Sequence, residues 1–182
     1  MPKNAKGSKK KPAHAKAKPK ARTPKKTIAE PEKRIAVIGI GNPLMKDDGA
    51  GLSVIDLLSG MPEGVLIVDA GTGGMGLLHI LADLDVAVIV DAVDFEGDPG
   101  EIRVLSLREI ISTKKLPGLS LHEGDILKII EMARRLGQCP ETIAICAIQP
   151  AEIRAGIGLT EKVERAMPRL ARVIKETVKK LQ

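Results

Sequence analysis

Asp48, Asp91 and His122 are the residues of this 182-residue chain whose types and settings can do chemistry. Asp48 ends the segment Gly39-Ile40-Gly41-Asn42-Pro43-Leu44-Met45-Lys46-Asp47-Asp48, directly after the apolar run Ile35 to Ile38. Asp91 closes the run Val86-Ala87-Val88-Ile89-Val90. His122 stands in Leu119-Ser120-Leu121-His122-Glu123-Gly124, ahead of an amphipathic helix pattern. In a parallel α/β sheet the carboxyl ends of the strands converge on one crevice, where ligands bind. Two carboxylates and an imidazole meeting there form a donor set for a borderline divalent metal and leave positions open for a substrate.

Each residue also has a plainer reading. An aspartate before a helix is a common N-cap, stabilised by the helix dipole. One cap accounts for one aspartate, so Asp47 is assigned to capping or solvent and Asp48 to the site. Asp91 follows five apolar residues and starts close to the buried sheet, where an unpartnered charge is costly. It needs a metal, a cation or hydrogen-bond donors. Asp69 holds the equivalent place after the second strand, but Gly71-Thr72-Gly73-Gly74 behind it makes a turn-forming role at least as good. His122 alone divides evenly between capping and ligation, and the two strand-end aspartates favour ligation. His79 lies within a short helix pattern and reads as packed, and His14 lies in a basic tail.

The elements that must position these groups follow from the apolar pattern. Arg34 to Ile40 reads as a buried strand, Gly49 to Ser59 as a helix and Gly64 to Val68 as a second strand. Met75 to Ala82 reads as a short helix. Val86 to Val90 is apolar throughout, as expected of a strand covered on both faces. Gly97-Asp98-Pro99-Gly100 signals a turn before a shorter strand at Ile102 to Leu105. Glu123 to Leu136 has helical periodicity, and Thr142 to Ile148 is a strand halted by Pro150. A last helix starts after Thr160, a candidate N-cap with Glu161 and Glu164 nearby for a capping box, and Pro168 is expected to divide or kink it. Strands alternating with helices predict a three-layer α/β/α domain with a mostly parallel sheet of about five strands.

Composition narrows the function classes. One Phe and no Trp or Tyr leave an aliphatic core and nearly exclude stacking on nucleotide bases. Cys139 and Cys146 are too few and too oddly spaced for a disulfide framework and read as small packed residues. Residues 1–30 hold eleven Lys and Arg against one Glu, a net +10, so the whole chain's +6 leaves −4 for residues 31–182. The sequence therefore divides into a Lys/Ala/Pro-rich tail, 1–30, with too few apolar residues to order itself, and an α/β domain, 31–182. The tail reads as a dispensable solubilising extension whose nucleic-acid contacts would be nonspecific. No stretch has the length of a membrane span and no secretory signal is visible, which predicts a cytoplasmic protein.

Familiar catalytic motifs are missing. Gly39-Ile40-Gly41 is half of a dinucleotide fingerprint, but Leu44 stands where the third glycine belongs and Pro43 removes a donor. There is no P-loop, no G-x-S-x-G elbow and no H-E-x-x-H.

Taken in order, the segments resemble the hydrogenase maturation proteases. The matching pieces are Gly39-Ile40-Gly41-Asn42 through Asp47-Asp48-Gly49-Ala50-Gly51, then Asp69-Ala70-Gly71-Thr72-Gly73-Gly74-Met75. They continue with Val90-Asp91-Ala92-Val93-Asp94-Phe95, Pro99-Gly100-Glu101, the segment around His122, and Ile148-Gln149-Pro150. The resemblance runs from about Arg34 to the C-terminus and leaves out the basic tail. It implies an endopeptidase that removes a C-terminal peptide from the nickel-loaded precursor of a [NiFe] hydrogenase large subunit. It implies further that Asp48, Asp91 and His122 contact a nickel ion supplied by the substrate, with Asp69, Gly71, Thr72, Gly73 and Gly74 in substrate recognition, and that the enzyme is a monomer. Two alternatives remain at this point. A noncatalytic metal-dependent chaperone would use the same three ligands. Gly39-Ile40-Gly41-Asn42-Pro43 also resembles the start of peptidyl-tRNA hydrolases, a more distant esterase reading weakened by the lack of any His in residues 44–60.

Overall fold

Five strands form the sheet of the computed structural model: β1 (Ile35–Gly39), β2 (Val65–Asp69), β3 (Val86–Ala92), β4 (Ile102–Ser106) and β5 (Thr142–Ile148). The structure describes residues 33–107, 109 and 121–182, and of residues 121–125 the helical backbone alone. The tail assigned to residues 1–30 lies outside the described residues. The strand order is β2-β1-β3-β5-β4. Four strands are parallel, and β4 closes one edge antiparallel to β5.

The helices are α1 (Ala50–Ser53), α2 (Gly76–Ala82), α3 (Leu121–Arg135) and α4 (Glu161–Leu181). Alternation along the strands sorts the core into two halves. Ala36, Ile38, Ala87 and Ile89 pack with Leu77 and Leu81 of α2 and with Ile126 and Ile130 of α3. Val37, Val88 and Val90 pack on the other face with Ala50, Val54 and, from α4, Val163, Leu170 and Ile174. The sheet thus lies between two helical layers, as the strand-helix alternation predicts, and β1 and β3 are buried throughout.

Two elements differ from the sequence expectation, the second in two respects. The first helix is a broken run: a 3-10 turn at Lys46–Gly49, the single α turn α1, and a second 3-10 turn at Ile55–Leu57. Its backbone is pressed against the strand ends, and a Cβ on Gly51 would stand 2.1 Å from the Ile40 carbonyl oxygen and 2.4 Å from that of Val90. Helix α4 continues through Pro168 without a break. Pro168 and Glu164, whose carbonyl loses its helical donor there, are both exposed, so water can satisfy that oxygen. Thr160 is the N-cap of α4 but makes no side-chain cap bond, and its hydroxyl donates to the Asp47 carboxylate.

Candidate active site

The topology places a crevice between β1 and β3. The chain leaves β1 for β2 on one side and then crosses to β3 on the other, so the loops after β1 and β3 diverge at their carboxyl ends. Such a switch point is where open α/β sheets bind ligands. Asp48 lies in the loop after β1, and Asp91 is the penultimate residue of β3, one residue further inside the strand than the apolar run suggests.

Both carboxylates are about 1% exposed. Asp48 Oδ2 accepts the Asn42 N–H (2.9 Å), which closes the loop on itself. Asp91 Oδ1 accepts the Ala92 N–H (2.8 Å), while its buried Oδ2 accepts no hydrogen bond among the described residues. Burial holds the Asp91 carboxyl well above the usual carboxylate range, the charge of Asp48 adds to the rise, and the Ala92 N–H opposes it. A buried carboxylate whose charge is disfavoured by burial and by a second carboxylate nearby forms an environment that a cation would relieve. Their oxygens suit a divalent ion, and Asp91 Oδ2 has its lone pairs free of protein donors among the described residues.

Asp91 shares its parity along β3 with Ala87 and Ile89, whose side chains meet α2 and α3. His122 lies in the first turn of α3, the helix that covers this face. Its side chain lies outside the described residues, so the third member of the expected set is placed by its backbone element only. Among the described residues no group of three His, Cys, Asp or Glu side chains is arranged for a metal.

The turn after β2 adjoins the loop after β1. Asp69 Oδ1 accepts the Gly71 N–H (2.7 Å), the turn-forming role that its glycine-rich sequel suggests, and the Gly73 N–H reaches the Ala70 carbonyl (2.9 Å). Asp69, Thr72 and Gly74 are exposed, and Gly71 and Gly73 half-buried. The Gly41 N–H donates to the Gly71 carbonyl (2.8 Å), tying this turn to the loop that carries Asp48. Gly41 has φ +145°, and a Cβ there would stand 1.9 Å from the Asp48 carbonyl oxygen. The glycine pair Gly39 and Gly41 therefore serves close backbone approach between strand end and loop.

Asp47 departs from its expected role in capping or solvent. It is fully buried and caps nothing on its own 3-10 turn, whose N-cap is Met45. Its carboxylate instead accepts four hydrogen bonds from Ala151, Glu152 and Thr160. No local signal marks this role, because the partners lie more than a hundred positions away. His79 is exposed on α2 rather than packed. Cys146 is buried in β5, as expected, while Cys139 is only half-buried.

Gln149, in the last of the matching motifs, has a role that the sequence leaves unassigned. It is 6% exposed; its Oε1 accepts the Phe95 N–H (2.9 Å) and Gly97 N–H (3.1 Å), and its Nε2 donates to Asp94 Oδ1 (2.9 Å). It thereby shapes the loop leaving β3 just beyond Asp91. A signal for it exists: like Asp91, it is a polar side chain at the end of an unbroken apolar strand.

Comparison with known proteins agrees with this architecture. The HycI hydrogenase maturation protease family description matches residues 54–177. Hydrogenase 2 maturation protease of Escherichia coli K12 is 32% identical over 148 residues, 78% of this chain and 88% of that protein. The hydrogenase expression/formation protein HupD of Bradyrhizobium diazoefficiens is 30% identical over 125 residues, 67% of this chain. The match spans about 65% of that HupD and about 59% of the Rhodobacter capsulatus HupD. Among solved structures, the hydrogenase maturating endopeptidase HybD from E. coli superposes with TM-score 0.72 at 28% identity, covering 81% of this chain and 93% of that one. The [NiFe] hydrogenase maturation protease HybD from Thermococcus kodakarensis superposes with TM-score 0.65 at 26% identity, covering 79% and 98%. With a family match over more than half its length and the fold of the solved members, the chain belongs to the hydrogenase maturation protease family.

Proposed function

We propose that this protein is an endopeptidase that removes a C-terminal peptide from the nickel-loaded precursor of a [NiFe] hydrogenase large subunit. The observation that carries the reading is the buried Asp48–Asp91 pair at the β1/β3 switch point, with Asp91 Oδ2 lacking a donor among the described residues. Nickel arrives with the substrate. Asp48, Asp91 and His122 complete its coordination, so the enzyme engages only a precursor in which the metal is already installed. Three enzyme ligands leave the substrate's own ligands in place, which makes metal occupancy the specificity signal.

The ion brings the scissile bond to the crevice and polarises its carbonyl or a water. A site carboxylate takes the proton from that water as it attacks. The Asp69–Gly74 turn, tied to the Asp48 loop through Gly41 and Gly71, offers exposed backbone and the Thr72 hydroxyl to the substrate polypeptide. The enzyme acts as a cytoplasmic monomer. No helix among the described residues is long and apolar enough to cross a membrane.

The test is the intact mass of the host's hydrogenase large subunit, with and without this protein, in nickel-replete and nickel-free cells. Loss of a C-terminal peptide only when both are present supports the reading. Unchanged processing in the protein's absence, in a host with no redundant protease, overturns it. A precursor that binds the protein in a nickel-dependent way but is never cut identifies the noncatalytic chaperone.

A further inference from the structure

Asp47 is a fully buried carboxylate that the site chemistry does not use. All four of the bonds it accepts come from one distant segment. Its Oδ2 takes the Ala151 N–H (2.9 Å), the Glu152 N–H (3.0 Å) and the Thr160 hydroxyl (2.8 Å), and its Oδ1 takes the Thr160 N–H (2.6 Å). The main chain doubles the tie: the Asp47 N–H reaches the Glu152 carbonyl (3.2 Å), the Lys46 N–H that of Gly156 (3.0 Å), and the Gly156 N–H that of Leu44 (2.9 Å).

Asp47 and Asp48 are consecutive in one 3-10 turn, so fixing the first fixes the backbone of the second. On the far side of the turn the Asp48 carbonyl abuts Gly41, where not even a Cβ fits, and the turn cannot move inward. Thr160 begins α4, a 21-residue helix packed on the sheet through Val163, Leu170 and Ile174. Four converging donors require a group that only accepts. An amide in this place would turn an N–H2 against either the Thr160 N–H or the pair from Ala151 and Glu152.

The geometry points to Asp47 as a positioning residue, which transfers the fixed position of the α4 N-terminus and the 151–160 segment to the Asp48 carboxylate. This inference rests on the reading of Asp48 as a contact to substrate nickel.

The test compares wild type, Asp48→Asn, Asp47→Asn, Thr160→Val and Thr160→Ser on the nickel-loaded precursor, at a temperature where circular dichroism finds each folded. Zinc(II) binding to the free proteins is titrated in parallel by calorimetry, a readout that a purely structural role would leave unmoved. Asp47→Asn is expected to lower kcat/KM by about 100-fold, the cost of roughly 1 Å of misplacement, and to weaken zinc binding. Thr160→Val is expected to lose activity severalfold, and Thr160→Ser, which keeps the hydroxyl, to match wild type. Folded Asp47→Asn and Thr160→Val proteins with wild-type kcat/KM and zinc affinity, beside an inactive Asp48→Asn, overturn the positioning role and leave the proposed function standing. An Asp48→Asn protein as active as wild type overturns both. Should Asp47→Asn fail to fold, the Thr160 pair decides.

Discussion

Asp48, in the 3-10 turn of the loop after β1, and Asp91, near the end of the neighbouring strand β3, are both buried, and desolvation and then the charge of Asp48 hold the Asp91 carboxyl well above the usual carboxylate range. Ionising Asp91 is therefore a cost to the fold, and under the proposed function the substrate's cation would relieve it.

Asp91→Asn should therefore abolish processing while raising the thermal stability of the metal-free protein by a few degrees at neutral pH. The sign follows from the direction of the shift. A carboxyl whose affinity for protons is higher in the folded than in the unfolded chain carries no penalty where both are protonated, and the penalty grows as pH rises. The gain from Asp91→Asn should accordingly shrink as pH falls towards the ordinary carboxyl range. Thermal melts of both proteins from about pH 4 to about pH 8 check this, and a destabilised variant at neutral pH would contradict it.

The glycine contacts at the strand ends give a second test. Gly51→Ala pushes a methyl into the carbonyl oxygens of Ile40 and Val90 and should destabilise the fold by about 3 kcal/mol in urea unfolding. Gly76, in α2 with open space around it, is the control. Gly76→Ala should be neutral or stabilise by about 0.5 kcal/mol, through loss of unfolded-chain freedom.

Burial pushes the Cys146 thiol up to about 11, against a smaller opposing effect of the Thr177 hydroxyl to which its Sγ donates (3.9 Å). The thiolate is the reactive form, so iodoacetamide at about pH 8 should leave Cys146 unmodified in the folded protein and alkylate it only in denaturant. Peptide mass spectrometry reads the result. Rapid modification of Cys146 in the native state would mean that β5 opens far more readily than its buried sequence implies.

Deleting residues 1–30 should leave the melting temperature and the processing rate unchanged, since the tail has too few apolar residues to add to a core. A truncated protein that melts normally but processes slowly would give the basic tail a role in substrate capture.

The alternation of apolar strands with amphipathic helices is enough to specify the layered α/β architecture, because burial on both faces requires unbroken apolar strands such as Val86–Val90 and a helix pattern between them. The same logic makes Asp91 conspicuous, since a charge at the end of such a strand starts inside the protein. Local sequence assigns Asp48 to the site but does not reveal the role of Asp47. Both are acidic, adjacent and buried, and what distinguishes them is which backbone each one meets: Asp47 the distant 151–160 segment, Asp48 its own loop at Gly41 and Asn42. Nor does periodicity foretell that the expected first helix breaks into 3-10 and α turns, because the cause is the tight seat of Gly51 against carbonyl oxygens from two different strand ends. Strand and helix periods are properties of neighbouring residues and are written in the chain. The meeting of the two carboxylates, the clasp behind one of them and the oxygen of the other that meets no donor among the described residues exist only once β1, β3 and the start of α4 are packed together.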